Sequence, residues 1–413
     1  MASRFIAVLA ALCVAPAAVL ADDAAPAAPA TVDPSVLEGK LEALTEQYAE
    51  TRTEVASLKK LKLSGYLQAR WAWREDANYN LDAVNAKADK ITQTGFHIRR
   101  GRVKAVYTAD VAAFTLQLDA IPTGVSVKEG YASVNLPMGM AVDAGLQLFP
   151  FGYEVASRSS ADLDTLERSE ATRKLLAGEY DLGVALRGKA LKNVSWKLGL
   201  FNGNGVEGAS VSGGTDNDQL KDVIGRVTGD FGVVTAGLSG WYGTVRATSQ
   251  VFGDPADPKK VTGTKQVDYD RQRVGADVQA FLDLLPIGGT ALKAEWIWGK
   301  SLLKNDAKVF GAGEKLGKTV SGWYVTATQN LGPMNQLALR YEQFNTDHGL
   351  DVSAAGSNKV KVDTELQAAL HTFLGESAKL TLAWFHPMYG EKGDKAADGP
   401  KTDRFIAQLQ AKF

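Results

Sequence analysis

Cysteine is all but missing from this chain: its 413 residues contain one, Cys13, set in the apolar run near the start. Disulfides and thiolate zinc sites are therefore excluded as sources of stability. Histidine is nearly as scarce. His97, His348, His371 and His386 are scattered, with no second ligand or carboxylate close in sequence, so neither a metal cluster nor a general base is indicated, and no cofactor is expected. Charge of one sign is also lacking: 46 Lys and Arg balance 47 Asp and Glu for a net charge of −1, which removes the basic surface that nucleic acid requires. After Ala21 no run of 18 apolar residues occurs, so no helix is predicted to cross a bilayer.

What is present is organised in four parts. Residues 1–21 read as an export signal, with Arg4 supplying the positive start, residues 5–20 almost wholly apolar, and Val19, Leu20 and Ala21 preceding Asp22 and Asp23. Residues 22–35 are Ala/Pro-rich and read as a spacer. In residues 36–60 the seam Leu37, Leu41, Leu44, Tyr48, Thr51, Val55 and Leu58 advances by alternating steps of four and three, the spacing of a supercoiled helix. This segment is predicted to be a coiled coil that pairs with copies of itself or packs on its own chain.

At Leu61 the period changes to two, and residues 61–413 form the fourth part. Leu61, Leu63, Gly65, Leu67, Ala69, Trp71 and Trp73 alternate with Lys62, Ser64, Tyr66, Gln68 and Arg70, a strand with one apolar and one wet face. Sixteen such segments start near residues 61, 96, 111, 126, 141, 180, 193, 220, 231, 269, 290, 319, 335, 360, 378 and 403. Long polar links (74–95, 149–179, 202–219, 243–268, 299–318, 345–359, 387–402) alternate with short ones such as Ala109-Asp110; only the link near 121–125 departs from that rule. Long loops on one side, tight turns on the other and an even strand count predict an all-β chain, a 16-stranded antiparallel transmembrane β-barrel preceded by the coiled-coil helix. Closure is required because an unpaired backbone group in hydrocarbon costs several kcal/mol. Trp71, Trp73, Trp241, Trp296, Trp298 and Trp384 fall at or near strand ends and are expected in the headgroup zone.

Residues 145–154 (GLQLFPFGYE), 163–169 (LDTLERS), 181–184 (DLGV) and 198–205 (LGLFNGNG), with Arg99-Arg100-Gly101-Arg102, residues 130–134 (GYASV) and 339–342 (LRYE), resemble the phosphate-selective porin O and P family. The likeness covers most of residues 61–413. It implies a homotrimeric outer-membrane porin whose third long loop folds into the pore, with outer-membrane lipid and small anions such as phosphate as partners and the coiled coil in the periplasm.

An anion channel needs lumen-facing cations, because Arg or Lys in a narrow pore replaces part of the water around the ion. Arg70, Arg102, Lys104, Arg187, Arg226, Arg271, Arg273 and Arg340 lie on the wet phase of their strands. The alternative is that they pair with Asp119, Glu129, Asp143, Asp277, Glu295 or Glu342 and only line a wall. Arg99 and Arg100 straddle a slip of phase that a bulge or the end of the membrane band would explain. In the third long loop Arg158, Arg168, Arg173 and Lys174 are candidates for a constriction, yet Asp162, Asp164, Glu167, Glu170 and Glu179 outnumber them. A general anion preference is therefore expected over strict phosphate selection. A non-selective porin and a barrel-anchored periplasmic tether are the alternatives, and a barrel enzyme would need a Ser/His pair at one depth, which the sequence does not display. Residues 203–208 match a dinucleotide fingerprint without a following helix, and Asp216-Asn217-Asp218 suits a polar loop better than a calcium site.

Overall fold

The computed structural model describes residues 34–74, 94–176, 179–203, 220–254, 257–300, 319–345, 362–390 and 403–413. The chain divides into two units, residues 1–58 and 59–413. The described part of the first is one helix, α1 (Pro34–Leu58), which opens on a proline, the residue whose fixed φ suits a first helical turn. Leu41, Leu44 and Tyr48 of the seam are 68%, 62% and 69% exposed. The export segment and nearly all of the spacer lie outside the described residues.

The second unit is built from sixteen strands: β1 (Leu61–Arg74), β2 (Thr94–Thr108), β3 (Ala112–Ile121), β4 (Gly124–Leu136), β5 (Met140–Leu148), β6 (Tyr180–Leu191), β7 (Val194–Phe201), β8 (Asp222–Asp230), β9 (Val234–Asp254), β10 (Asp257–Leu285), β11 (Gly288–Lys300), β12 (Thr319–Leu331), β13 (Asn335–Asn345), β14 (Val362–Leu374), β15 (Ala378–Gly390) and β16 (Arg404–Lys412). Each pairs antiparallel with its neighbours in sequence, and β16 closes on β1. That seam runs from Tyr66 opposite Lys412 to Arg74 opposite Arg404, and Gly65 and Phe413 exchange two backbone hydrogen bonds of 3.0 Å. Period-two patterning decides which side chains point outward. Leu63, Leu67, Phe114, Leu198, Val227, Leu238, Leu382 and Leu409 stand exposed on the outer wall, whereas Gln68, Arg70, Asp119, Arg226, Glu295 and Gln408 are buried inside.

Two expectations are corrected. Residues 243–268 do not form a loop: apart from Pro255 and Ala256, which lie outside the described residues, they extend β9 and β10. The two strands remain paired out to Asp254 and Asp257, with register shifts between Asp257 and Val261 and between Val261 and Gly263. Among the described residues, pairing with β8 reaches Tyr242 and pairing with β11 reaches Gln272, and beyond these points β9 and β10 pair with each other. The Gly, Asp and Lys residues of this stretch suggested a loop, but Thr244, Val245, Thr248, Val251, Thr262, Thr264 and Val267 are β-branched residues that favour a pleated chain. Trp241 does not join the outer aromatic residues. It is 5% exposed and sits inside the barrel, 4.8 Å from Phe149 between ring centroids. Of the two explanations for the phase slip the bulge is the one present: the β1·β2 register shifts between Gln68 and Ala69, which face Arg100 and Ile98, leaving Arg99 as the extra residue.

Arginine placed at Leu116, on the outer wall midway along β3, is expected to destabilise the barrel by roughly 2–4 kcal/mol. Arginine at the adjacent lumen position Gln117 is expected to cost much less. Chemical unfolding of the two variants in lipid bilayers checks the difference.

Candidate functional site: a loop anchored inside the barrel

The connection between β5 and β6, residues 149–179, folds inward because it carries more apolar surface than an exposed loop can leave in water. Phe149, Phe151, Val155, Leu175 and Leu176 are at most 3% exposed and pack with Phe201, Ile224, Trp241, Ile297, Val320 and Phe344 of the wall. Leu166 packs across the lumen against small residues, Ala72, Ala338, Ala369 and Ala383, together with Phe385 and Ile406. The loop contains two short helices, α2 (Tyr153–Ala156) and α3 (Glu170–Leu175). Two glycines permit the approach. Gly152 has φ +68°, and a Cβ there would meet Glu295 Oε1 at 2.1 Å; a Cβ on Gly322 would meet that of Ala171 at 2.3 Å.

Charge fixes what burial brings in. Glu167 accepts from Arg70 at 2.6 Å, from Arg99 at 2.8 Å and from Arg100 at 3.1 Å, so the bulge turns two successive arginines onto one carboxylate. Glu154 accepts from Arg340 at 2.6 Å and from the Ser169 amide at 2.7 Å. Asp164 accepts from Lys293 at 2.5 Å, and its carbonyl lies 2.8 Å from His371 Nε2. The wall also supplies an acceptor: Glu295 takes the amides of Tyr153 and Glu154 at 3.1 and 3.2 Å and the Tyr324 hydroxyl at 2.9 Å. Arg273 donates to the Leu175 carbonyl and stacks on Trp241, 4.6 Å from the ring centroid. Burial alone would raise the Glu167 carboxyl, but Arg99, Arg100 and Arg70 outweigh it and hold it well below the ordinary carboxylate range. Glu170 follows the same logic: burial opposes ionisation, and Arg173 and Lys174 prevail, bringing it to about 2.

Two cavities lie between this loop and the β1–β8 wall. One, about 660 Å³, is lined by Glu129, Gln147, Arg187, Lys189, Lys197 and Arg226 among others. The other, about 450 Å³, is lined by Arg102, Lys104, Arg158, Arg168, Lys412 and Asp162 among others. They share Glu129, Leu148, Ala156 and Ser157. Together their walls present nine cationic side chains against two acidic ones, Glu129 and Asp162.

The predicted cations thus separate by place. Arg102, Lys104, Arg158, Arg168, Arg187 and Arg226 line one cavity or the other. Arg102 also meets Asp119 at 3.2 Å, Lys104 pairs with Glu129, Arg158 with Asp164, and Arg168 with Glu179 at 2.9 Å. Arg70, Arg273 and Arg340 instead fasten the loop, and Arg271 bonds Asp222 at 3.1 Å and the Gly203 carbonyl. Arg173 pairs with Glu170 on α3 and lines neither cavity. Sequence reasoning missed Lys197, although it sits on the wet phase of β7. It also missed Glu154, whose partner Arg340 is 186 residues away.

No family model matches the chain, and no curated protein matches it in sequence. Solved structures do match. The barrel is similar to an anion-selective porin from Comamonas acidovorans, with 14% identity and a TM-score of 0.56 over 86% of this chain and 99% of that one. The outer membrane channel DcaP of Acinetobacter baumannii gives 11% identity and 0.56 over 86% and 97%. The trimer form of OmpT, an outer membrane protein of Vibrio cholerae, gives 14% and 0.53 over 86% and 99%. The fold is shared with outer-membrane porins. Within this porin-type barrel the inward loop narrows the lumen, and the basic cavities lie beside it.

Glu167→Gln leaves three guanidiniums facing a neutral amide, and the anchorage is expected to lose about 3–5 kcal/mol, the scale for breaking a buried pair. A lower midpoint of the heat-induced gel shift checks this. Because both loop carboxyls are depressed, their contribution is complete above the ordinary value of 4.5 and lost as pH falls, for Glu170 through about 2. The difference in gel-shift midpoint between the unaltered chain and Glu167→Gln is expected to persist at neutral pH and to shrink only below about pH 4.5.

Proposed function

We propose that this chain is an outer-membrane porin: a passive, water-filled channel for small hydrophilic solutes that favours anions, phosphate among them. The observation that carries the reading is the lining of the space beside the loop, nine cationic side chains against two acidic ones, with Arg187 and Lys197 sharing a single carboxylate. Such a wall raises local anion concentration, and weak sites in series let the ion leave. The resemblance of residues 145–154, 163–169, 181–184 and 198–205 to the phosphate-selective porin O and P family supports the same choice. So does the anion-selective porin among the similar structures. On this reading Arg102, Lys104, Arg158 and Arg187 act on the permeating ion, while Arg70, Arg273 and Arg340 keep the passage narrow.

The working form proposed is a homotrimer. One similar structure is described as a trimer, and the exposed Leu41, Leu44 and Tyr48 seam of α1 is suited to pairing with copies of itself in the periplasm.

Single-channel recording in planar bilayers is expected to show conductance with reversal potentials on the anion side in a potassium chloride gradient. Lys104→Gln combined with Arg187→Gln is expected to reduce the anion-to-cation permeability ratio by at least about twofold. Zero conductance, or cation preference in the unaltered chain, contradicts the reading. Deleting residues 36–60 is expected to leave conduction intact while lowering the fraction of trimer seen by native electrophoresis.

A further inference from the structure

Register places three cations side by side on the wall of the larger cavity. Arg187 faces Lys197 across β6 and β7, and Lys197 faces Arg226 across β7 and β8, so their Cβ atoms stand about 4.5–5.5 Å apart. A buried carboxylate terminates the row at each end, and the two ends differ. At one, Asp277 accepts two bonds from Arg226, at 2.5 and 3.0 Å. Both side chains are at most 5% exposed, a closed pair with no charge to spare. At the other, Asp143 serves two cations at once: it accepts from Arg187 Nε at 3.0 Å and Lys197 Nζ at 3.1 Å. The Ser133 hydroxyl donates to it at 2.6 Å and fixes its orientation. The Asp143 side chain is 3% exposed, but those of Arg187 and Lys197 are 47% and 27% exposed. Two cations against one carboxylate leave one positive charge directed at the cavity.

We propose that Asp143 is a specificity-determining residue of the channel: it holds the Arg187 and Lys197 heads in place and cancels half their charge, thereby setting the strength of the anion preference. This rests on the channel reading above. An acidic residue buried behind the cations, where no permeating ion touches it, is then what keeps anion retention weak enough for release. Arg226, matched one to one by Asp277, is a silent member of the row.

The test is the reversal potential of the full-length chain in a potassium chloride gradient, with the heat-induced gel shift confirming a folded barrel. Asp143→Asn is expected to raise the anion-to-cation permeability ratio roughly two- to threefold, the scale of removing one negative charge behind the cavity wall in salt-screened water. Asp143→Glu is expected to restore the unaltered ratio. Lys197→Gln leaves the carboxylate matched one to one without stranding a buried charge, and is expected to lower the ratio by a similar factor. The double variant Asp143→Asn with Lys197→Gln is expected to return close to the starting value. A purely structural role for Asp143 predicts a lower gel-shift midpoint with no change in ratio. That outcome, a shift toward cations in Asp143→Asn, or an unmoved ratio in Lys197→Gln overturns the proposal. Because each shift is measured against the unaltered chain, the proposal can fail while the channel conducts; absence of conductance overturns both readings together.

Discussion

Everything in the barrel depends on its hydrogen-bond ladder having no end. A strand edge left open in hydrocarbon would strand N–H and C=O groups that have no water to turn to. The β1·β16 seam, extended by the Gly65 and Phe413 exchange, removes that edge. Closure divides space into two media, and the alternation of side chains allots each residue to one of them. The outer wall is consequently a surface rich in Leu, Val and Phe, and the inner wall combines Arg, Asp, Glu and Gln with the apolar residues that receive the loop.

Once ionisable side chains are forced inside, their pairing decides what the lumen does. A buried charge is costly unless it is matched and hydrogen-bonded. The residues at 149–179 supply matches to a large part of the wall: Glu154 for Arg340, Glu167 for Arg70, Arg99 and Arg100, and Asp164 for Lys293. The loop is therefore held by charge as well as by apolar burial. The walls of the two cavities carry more cationic than acidic side chains, although seven of those nine cations also meet a carboxylate.

Much of this was legible in the residues. Fifteen of the sixteen strand starts lie within three residues of the alternating segments, because one face against lipid and one against water writes a strict period of two. The phase slip at Arg99 and Arg100 marked an irregularity for the same reason, and the strand register shows it to be a bulge. The misreadings have physical causes too. At residues 243–268 the Gly, Asp and Lys content pointed to a loop, whereas the described residues pair as β9 and β10. Trp241 obeys its strand's alternation, but its distance from a strand end says nothing about what covers it.

The sequence by itself determined the closed all-β architecture, the direction of the wall arginines and the presence of a helix before the barrel, since each follows from a short-range period that one medium or another enforces. The tertiary structure alone decided which arginines face open space and which are spent on the loop. Partners such as Glu154 and Arg340, or Asp164 and Lys293, lie more than a hundred residues apart. Local pattern carries no information about which carboxylate a guanidinium will meet across the lumen.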